Sequence, residues 1–260
     1  MTGIRICRKI AIFIFANYLL IAQSAYAGME NRPLNTNEAT LLEKGKFAIA
    51  SGAEFLRQSG YDKELNWPTD FECGIYDNME LDVEIPYRYI NFKDNEKGSS
   101  NGLGDVKVWL GLNPIKETGV CPVMSAAFSI KTESGDRKEE LGTGGTDYQI
   151  TLLLSKTFGS ISTIVNLGYT VVGDSPEASY RDAFSYNFAL KYAIFKRWTI
   201  VGEIYGQTNT DKDAARDPWD MLGGFIYDAT DSLAIDLGIG TGLTGASPDL
   251  RITTGITYTF

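Results

Sequence analysis

The chain has 260 residues, with 24 lysines and arginines against 33 aspartates and glutamates, a formal net charge of −9 and no histidine. That acidic balance argues against nucleic acid as a partner, because binding there rests on basic contacts to phosphate. Without imidazole, the usual nucleophile-base pairs lack a proton acceptor and zinc loses its commonest nitrogen ligand; no motif points to a Ser-Lys pair or a carboxylate dyad, so no enzyme, metal or cofactor is expected.

Residues 1–27 place Arg5, Arg8 and Lys9 before an apolar run from Ile10 to Ala22 and end in Ala25-Tyr26-Ala27. This is the layout of a signal peptide cleaved after Ala27. The apolar run is short of the roughly 20 residues of a spanning helix, and Asn17 interrupts it. What remains suits one all-β domain, a class that commonly reaches roughly 200 to 250 residues undivided. Residues 28–44 are polar and aperiodic and read as a periplasmic leader outside the main fold, leaving 45–260 for that domain.

From Gly45 onward, segments of period 2 are separated by Gly, Asn, Asp and Pro, the pattern of strands and turns. Strands are expected over 46–57, 66–76, 79–91, 103–113, 121–132, 146–157, 160–172, 184–195, 198–209, 219–228, 232–243 and 249–260, with no long helix. The links alternate in kind. RQSGYDKELN, KDNEKGSSNG, ESGDRKEELGTGG, VGDSPEASYRDA and TDKDAARDP are long and charged, whereas DN at 77–78, FGS at 158–160, FKR at 195–197 and ATD at 229–231 are tight, and NPIKETGV is the one longer case. Short turns on one side and long loops on the other, on an even number of antiparallel strands, predict an up-and-down transmembrane β-barrel of about twelve strands.

Side-chain parity agrees. In ELDVEIPYRY, Leu81, Val83, Ile85, Tyr87 and Tyr89 share one face while Glu80, Asp82, Glu84 and Arg88 share the other. In FSYNFALKYAI, Phe184, Tyr186, Phe188, Leu190, Tyr192 and Ile194 oppose Ser185, Asn187, Ala189, Lys191 and Ala193. A barrel in lipid turns the apolar set outward and collects aromatics near strand ends; a sandwich turns it toward a core. Cys73 and Cys121 fall on strands separated by two others and read as free thiols.

The stretches RPLNTNEATLLEKGKFAIASGAEF (32–55), CGIYDNMELDVEIPYRY (73–89), GLGDVKVWLGL (102–112) and YDATDSLAIDLGIGTGL followed by ITTGITYTF resemble the outer-membrane transporter family named for a protein of the phenol meta-cleavage degradation pathway. The resemblance spans nearly the whole chain after residue 27. It implies a barrel in the bacterial outer membrane and passage of small solutes, hydrophobic and aromatic ones among them. The alternative is a closed-lumen structural or surface-interaction barrel without transport. Its motifs are strand and turn patterns, so it carries no binding residue to a particular position.

The expected lumen-lining residues are Glu54, Asp82, Glu84, Asp105, Lys107, Lys191, Glu203, Asp236, Gly238, Gly240, Gly242 and Arg251. Their charges either pair across the wall and fill the interior or line a polar passage. An inward direction is favoured because Lys or Arg facing hydrocarbon costs roughly 2–4 kcal/mol at the midplane. Gly240-Thr-Gly242-Leu-Thr-Gly245 fits G-x-G-x-x-G, but a strand and not a helix follows, which rules out a phosphate cradle. The glycine stripe either relieves crowding and adds curvature or leaves a smooth track for solute. The acidic runs at 93–96 and 210–217 match no calcium loop and read as solvated.

The last strand, LRITTGITYTF, sets Leu250, Ile252, Thr254, Ile256, Tyr258 and Phe260 outward and Arg251, Thr253, Gly255, Thr257 and Thr259 inward. Pairing of the last strand with the first closes a barrel and leaves no frayed tail. Ile256, Tyr258 and Phe260 also resemble the signal read by barrel assembly machinery. The expected partners are therefore outer-membrane lipid, that machinery and a small-molecule solute.

Overall fold

The computed structural model describes residues 28–29, 31–58, 61–92, 98–175 and 179–260; the segment 1–27 and the acidic run 93–96 lie outside the described residues. Thirteen strands follow in chain order: β1 (Phe47–Arg57), β2 (Tyr61–Tyr76), β3 (Met79–Phe92), β4 (Ser99–Leu103), β5 (Lys107–Ile115), β6 (Val123–Lys131), β7 (Asp147–Phe158), β8 (Ile161–Val171), β9 (Ala183–Phe195), β10 (Trp198–Gln207), β11 (Trp219–Asp228), β12 (Leu233–Gly242) and β13 (Leu250–Thr259). Among the described residues there is no helix.

Each strand pairs antiparallel with its neighbours, and β1 pairs with both β2 and β13, so the sheet closes. The closing register sets Ala48 opposite Thr259 and Arg57 opposite Leu250. The Phe260 N–H continues it, donating to the Phe47 carbonyl at 2.8 Å. Both β4 and β5 pair with β3, at Tyr87–Asn91 and Met79–Glu84 respectively. They are two halves of one wall strand, and the thirteen segments make a twelve-position barrel.

The gap between the halves is filled from the side. The Asp105 carboxylate accepts the N–H groups of Gly135 and Thr143 at 2.9 and 2.8 Å, and the Ser134 hydroxyl accepts the Val106 N–H. The link after β6 thus folds back into the wall, burying Leu141 against Ile90 and Phe92. The Arg88 guanidinium ties down the Glu140 and Leu141 carbonyls at 3.0 Å. Lost ladder bonds are replaced where they were lost, as a buried backbone requires.

Parity sorts the side chains as the alternating pattern predicts. Phe128, Ile150, Tyr169, Phe188, Ile200, Ile239 and Ile256 are exposed on the outer surface, while Glu80, Ser125, Asn166, Glu203, Asp236 and Thr253 are buried on the inner one. Aromatic pairs cluster near strand ends: Tyr186 with Trp219, Trp198 with Tyr227, and Tyr258 with Phe260, at 4.7, 4.6 and 4.8 Å between centroids. Residues 77–78, 116–122, 159–160, 196–197 and 229–232 connect strands at one end, hereafter the turn end. The other connections and the link after β6 lie at the loop end.

The leader expected outside the fold is instead inside it. Met29, Leu34, Ala39, Leu41 and Leu42 are all buried. Met29, Ala39 and Leu41 pack on Val123, Ala127 and Leu153, and Leu34 packs on Ile164, Ala189, Val201 and Leu222. Burying each leucine or methionine side chain stabilises by about 1.5–3 kcal/mol, and the Ala39 methyl by about 0.8. The apolar residues scattered through an otherwise polar segment are therefore its anchors.

Candidate functional site

The site is the lumen, and the inner segment divides it. Glu203 of β10 accepts the Asn35 and Thr36 N–H groups at 2.9 and 3.0 Å and the Thr36 hydroxyl at 2.7 Å. Asn166 of β8 makes a reciprocal pair with Asn37, accepting its N–H at 2.7 Å and donating to its carbonyl at 2.9 Å. The Ala39 N–H reaches Ser155, and its carbonyl accepts from Asn113 and Ser125. Side chains on the wall thereby serve the backbone groups of a segment that has no strand partner, which is what burial demands of it.

Charges fix the two flanks. The Arg32 guanidinium pairs with Asp236 of β12 at 3.3 Å and donates to Thr253 of β13 at 2.9 Å. Lys191 of β9 holds Glu38 at 2.9 Å and Asn31 at 3.1 Å. Glu80 of β3 accepts the Met29 N–H at 2.8 Å and the Leu42 N–H. Room for the segment comes from missing side chains on the wall. A β-carbon on Gly111 would stand 2.6 Å from the Met29 sulfur, and one on Gly255 would stand 2.5 Å from the Arg32 Nε.

On the loop-end side of this floor a cavity of about 530 Å³ remains. Arg32, Asn35 and Asn37 face it from below; Glu54, Asp82, Glu84, Lys107 and Arg251 face it from the wall, with Asp70, Asp220, Trp109 and Tyr205. Arg251 pairs with Glu54, donates to the Tyr205 hydroxyl at 2.8 Å and lies 5.7 Å from that ring's centroid. Lys107 stands 3.8 Å from Glu84.

The twelve expected lumen residues separate into three groups. Glu54, Asp82, Glu84, Lys107 and Arg251 surround the cavity. Lys191, Glu203 and Asp236 hold the inner segment, and Gly238 lies against Pro33, so a β-carbon there would stand 3.1 Å from the Pro33 Cβ. Asp105, Gly240 and Gly242 do neither: Asp105 anchors the link after β6, Gly240 abuts the Met221 carbonyl, and Gly242 abuts Ser247 and the Pro248 carbonyl. The three glycines therefore do not form a continuous track beside the cavity. Ile256, Tyr258 and Phe260 point outward on the closing strand.

Sequence reasoning left out Arg32, Asn35, Thr36, Asn37 and Glu38, because the segment has neither period. The signal available was Leu34, Ala39, Leu41 and Leu42 within it, more apolar surface than a solvated leader has use for. Cys73 and Cys121 are free thiols. Among the described residues, one group of three potential metal-ligating side chains occurs, the buried Glu72, Glu80 and Asp82.

The family model described as "Putative MetA-pathway of phenol degradation" matches residues 30–260. No curated protein matches the chain. The solved COG4313 outer membrane channel from Pseudomonas putida F1 is similar in fold, with a TM-score of 0.71 at 11% identity, over 89% of this chain and 100% of that one. The KdgM porin is similar with a TM-score of 0.56 at 13% identity, over 82% of this chain and 99% of that one.

Proposed function

The chain belongs to the family described as putative MetA-pathway of phenol degradation, and from that premise we propose that it is a bacterial outer-membrane channel for small solutes, closed at rest by its own N-terminal segment. The observation that carries the reading is the polar cavity of about 530 Å³ that ends on a floor held by hydrogen bonds and ion pairs. Such bonds break and re-form without chemistry, so the floor is a removable one. Outward apolar side chains suit lipid. Residues 1–27 serve as the cleaved export signal, and Ile256, Tyr258 and Phe260 address the chain to the assembly machinery. The solutes are small, and the Trp109 and Tyr205 rings at the cavity wall suit aromatic ones.

The experiment is a reversible lock. Asn37→Cys with Asn166→Cys, in a Cys73→Ser/Cys121→Ser background, joins floor to wall where the two asparagines now bond. Oxidised protein in planar bilayers is expected to pass neither ions nor small aromatic solutes, and reduction is expected to restore both. Flux that ignores the lock sinks the gate. The second reading, a closed barrel whose loops do the work, is favoured by the number of wall side chains bonded to the segment. It predicts no flux in either redox state and none after the segment is deleted.

A further inference from the structure

The walls of the cavity differ in charge from one side to the other. Among the described residues, every charged wall side chain around it comes from β11, β13, β1, β2, β3 or β5, from Asp220 at one limit to Lys107 at the other. The arc from β7 to β10 contributes Gln149, Thr151, Asn166, Ser185, Asn187 and Gln207, each uncharged and each carrying a carboxamide or a hydroxyl. Two rings stand toward the ends of this arc, Tyr205 on β10 and Trp109 on β5. In the strand order β2 and β9 are six positions apart round a barrel of twelve, so the charged and neutral arcs face each other across the lumen.

Register gathers the neutral groups. Thr151, Gly168, Ser185 and Gln207 form one row across β7 to β10, and Asn166, Asn187 and Tyr205 belong to the next row toward the turn end. Gly168 leaves the middle of the first row without a side chain, as a strand glycine does where neighbours approach closely. A β-carbon there would stand 2.4 Å from the Ser185 Oγ, 2.9 Å from the Gln149 Nε2 and 3.3 Å from the Thr151 Oγ1. Three polar atoms from β7 and β9 thus converge on one point. The Gln149 Oε1 accepts from Ser129 at 3.4 Å, which leaves its amide nitrogen to this group. Thr151 is buried, and its hydroxyl has no hydrogen-bond partner.

Charge decides what such an arc holds. An ion seated on it meets no opposite charge there, and stripping water from an ion costs far more than stripping it from a neutral polar group. A carboxylate accepts from the same donors, but carboxylates outnumber lysines and arginines around the cavity by five to three, which opposes an anion. Hydroxyls and carboxamides both donate and accept, which matches a ligand that does the same. We infer that the β7–β10 arc is a binding subsite for an uncharged, polyhydroxylated solute, of which a saccharide unit is the simplest case, with Gln149, Thr151 and Ser185 as its determinants. The inference rests on the proposed reading of the lumen as a solute passage and names a class of solute for it. The hydroxyl-bearing edge of a saccharide ring meets the arc, and its C–H faces meet the Tyr205 and Trp109 rings.

The test separates binding from passage. Glucose, glucosamine and glucuronate are close in size and, at mildly acidic pH, are neutral, cationic and anionic in turn. Each is titrated against protein purified from outer membranes, with binding read by saturation-transfer NMR, which does not need the lumen to open. Glucose is expected to bind most tightly. Gln149→Leu with Thr151→Val removes two polar groups at little change in shape and is expected to raise the glucose Kd about tenfold or more; Ser185→Ala serves if that pair does not fold. Preference for glucosamine gives recognition to the carboxylates of the other arc and overturns the inference. Preference for glucuronate, equal or absent binding of all three, or glucose binding unchanged in every variant overturns it as well. Uptake of the same solutes into proteoliposomes is measured separately. Binding of glucose without uptake keeps the subsite and sinks the passage, whereas uptake without that binding keeps the passage and sinks the subsite.

Discussion

The inner faces of the same strands carry different residues at their two ends. Toward the turn end they hold Ala48, Ala50, Ala127, Ala189, Ala234, Leu153, Ile164 and Val201, and the space between is occupied by the N-terminal segment. Toward the loop end they hold Glu54, Asn66, Gln149, Tyr205 and Arg251, and the space between is a cavity. Small and apolar inner residues leave a volume that a folded segment can fill with dry contacts. Long polar ones reach inward, meet one another in ion pairs and keep water between them. One barrel thus has a packed half and a wet half, set by which residues occupy the inward parity and not by the strands themselves.

Removing residues 28–43 while keeping 1–27 abolishes that contrast outright and carries the largest expected effect. Single-channel conductance is expected to rise many-fold, since the wall of a twelve-strand barrel is wide enough to leave a passage once emptied. Conductance equal to wild type would mean that the path never ran through the packed half. Glu203→Ala is expected to come next. It leaves the Asn35 and Thr36 N–H groups without their acceptor, a loss of about 2–4 kcal/mol in the seating of the segment. Faster proteolysis within residues 31–42 and more frequent openings are the readouts, and unchanged kinetics would demote this carboxylate.

Gly111→Val asks whether the packed half is as tight as its geometry states. The three atoms nearest an added β-carbon belong to Met29 and Leu41 of the segment, so a cost of about 1–3 kcal/mol should fall chiefly on its seating. Unaltered thermal stability and gating would show slack there. Lys107→Gln asks the matching question of the wet half. The Lys107 pair with Glu84 is long and partly exposed, so stability should change by less than about 1 kcal/mol. Reversal potential under a salt gradient should nonetheless shift toward cations, and an unmoved one denies that fixed charge in the cavity sets selectivity.

The smallest effect lies beyond both halves, in the link between β8 and β9. Asp174 is held below the usual carboxylate range chiefly by the Tyr180 N–H, which donates at 2.9 Å, and next by the Ser179 hydroxyl. A depressed carboxylate stabilises above its unfolded pKa and loses that contribution as pH falls through the folded one. Local ordering of this link, read by amide exchange at Tyr180, is expected at neutral pH and lost in acid, while the barrel persists. Asp174→Asn should remove the dependence.

The wall was legible in the sequence because a closed barrel repeats one rule, alternation, and punctuates it with turn residues. The inward and outward faces of β3, β9 and β13 followed directly. The site was half legible. Glu54, Asp82, Glu84, Lys107 and Arg251 sit around the cavity because parity alone sends them inward. Parity says nothing of depth, so it did not separate Glu203 and Asp236, which grip the inner segment, from residues that face water. The segment itself was misread because its contacts are entirely remote. A stretch stabilised by other strands' side chains needs no periodicity of its own. Asp105 was misassigned for a related reason, since its hydrogen-bond donors Gly135 and Thr143 belong to a loop 30 and 38 positions downstream.

The bond between Arg32 and Thr253 joins positions 221 residues apart. Between them the segment also touches β3, β8 and β10. Its seat is therefore a composite of strands made early, midway and last, and does not exist until β13 has met β1. Contacts of such long range form late, after the chain has met the entropic cost of loop closure. The segment is consequently expected to seat last, once the wall has closed around it.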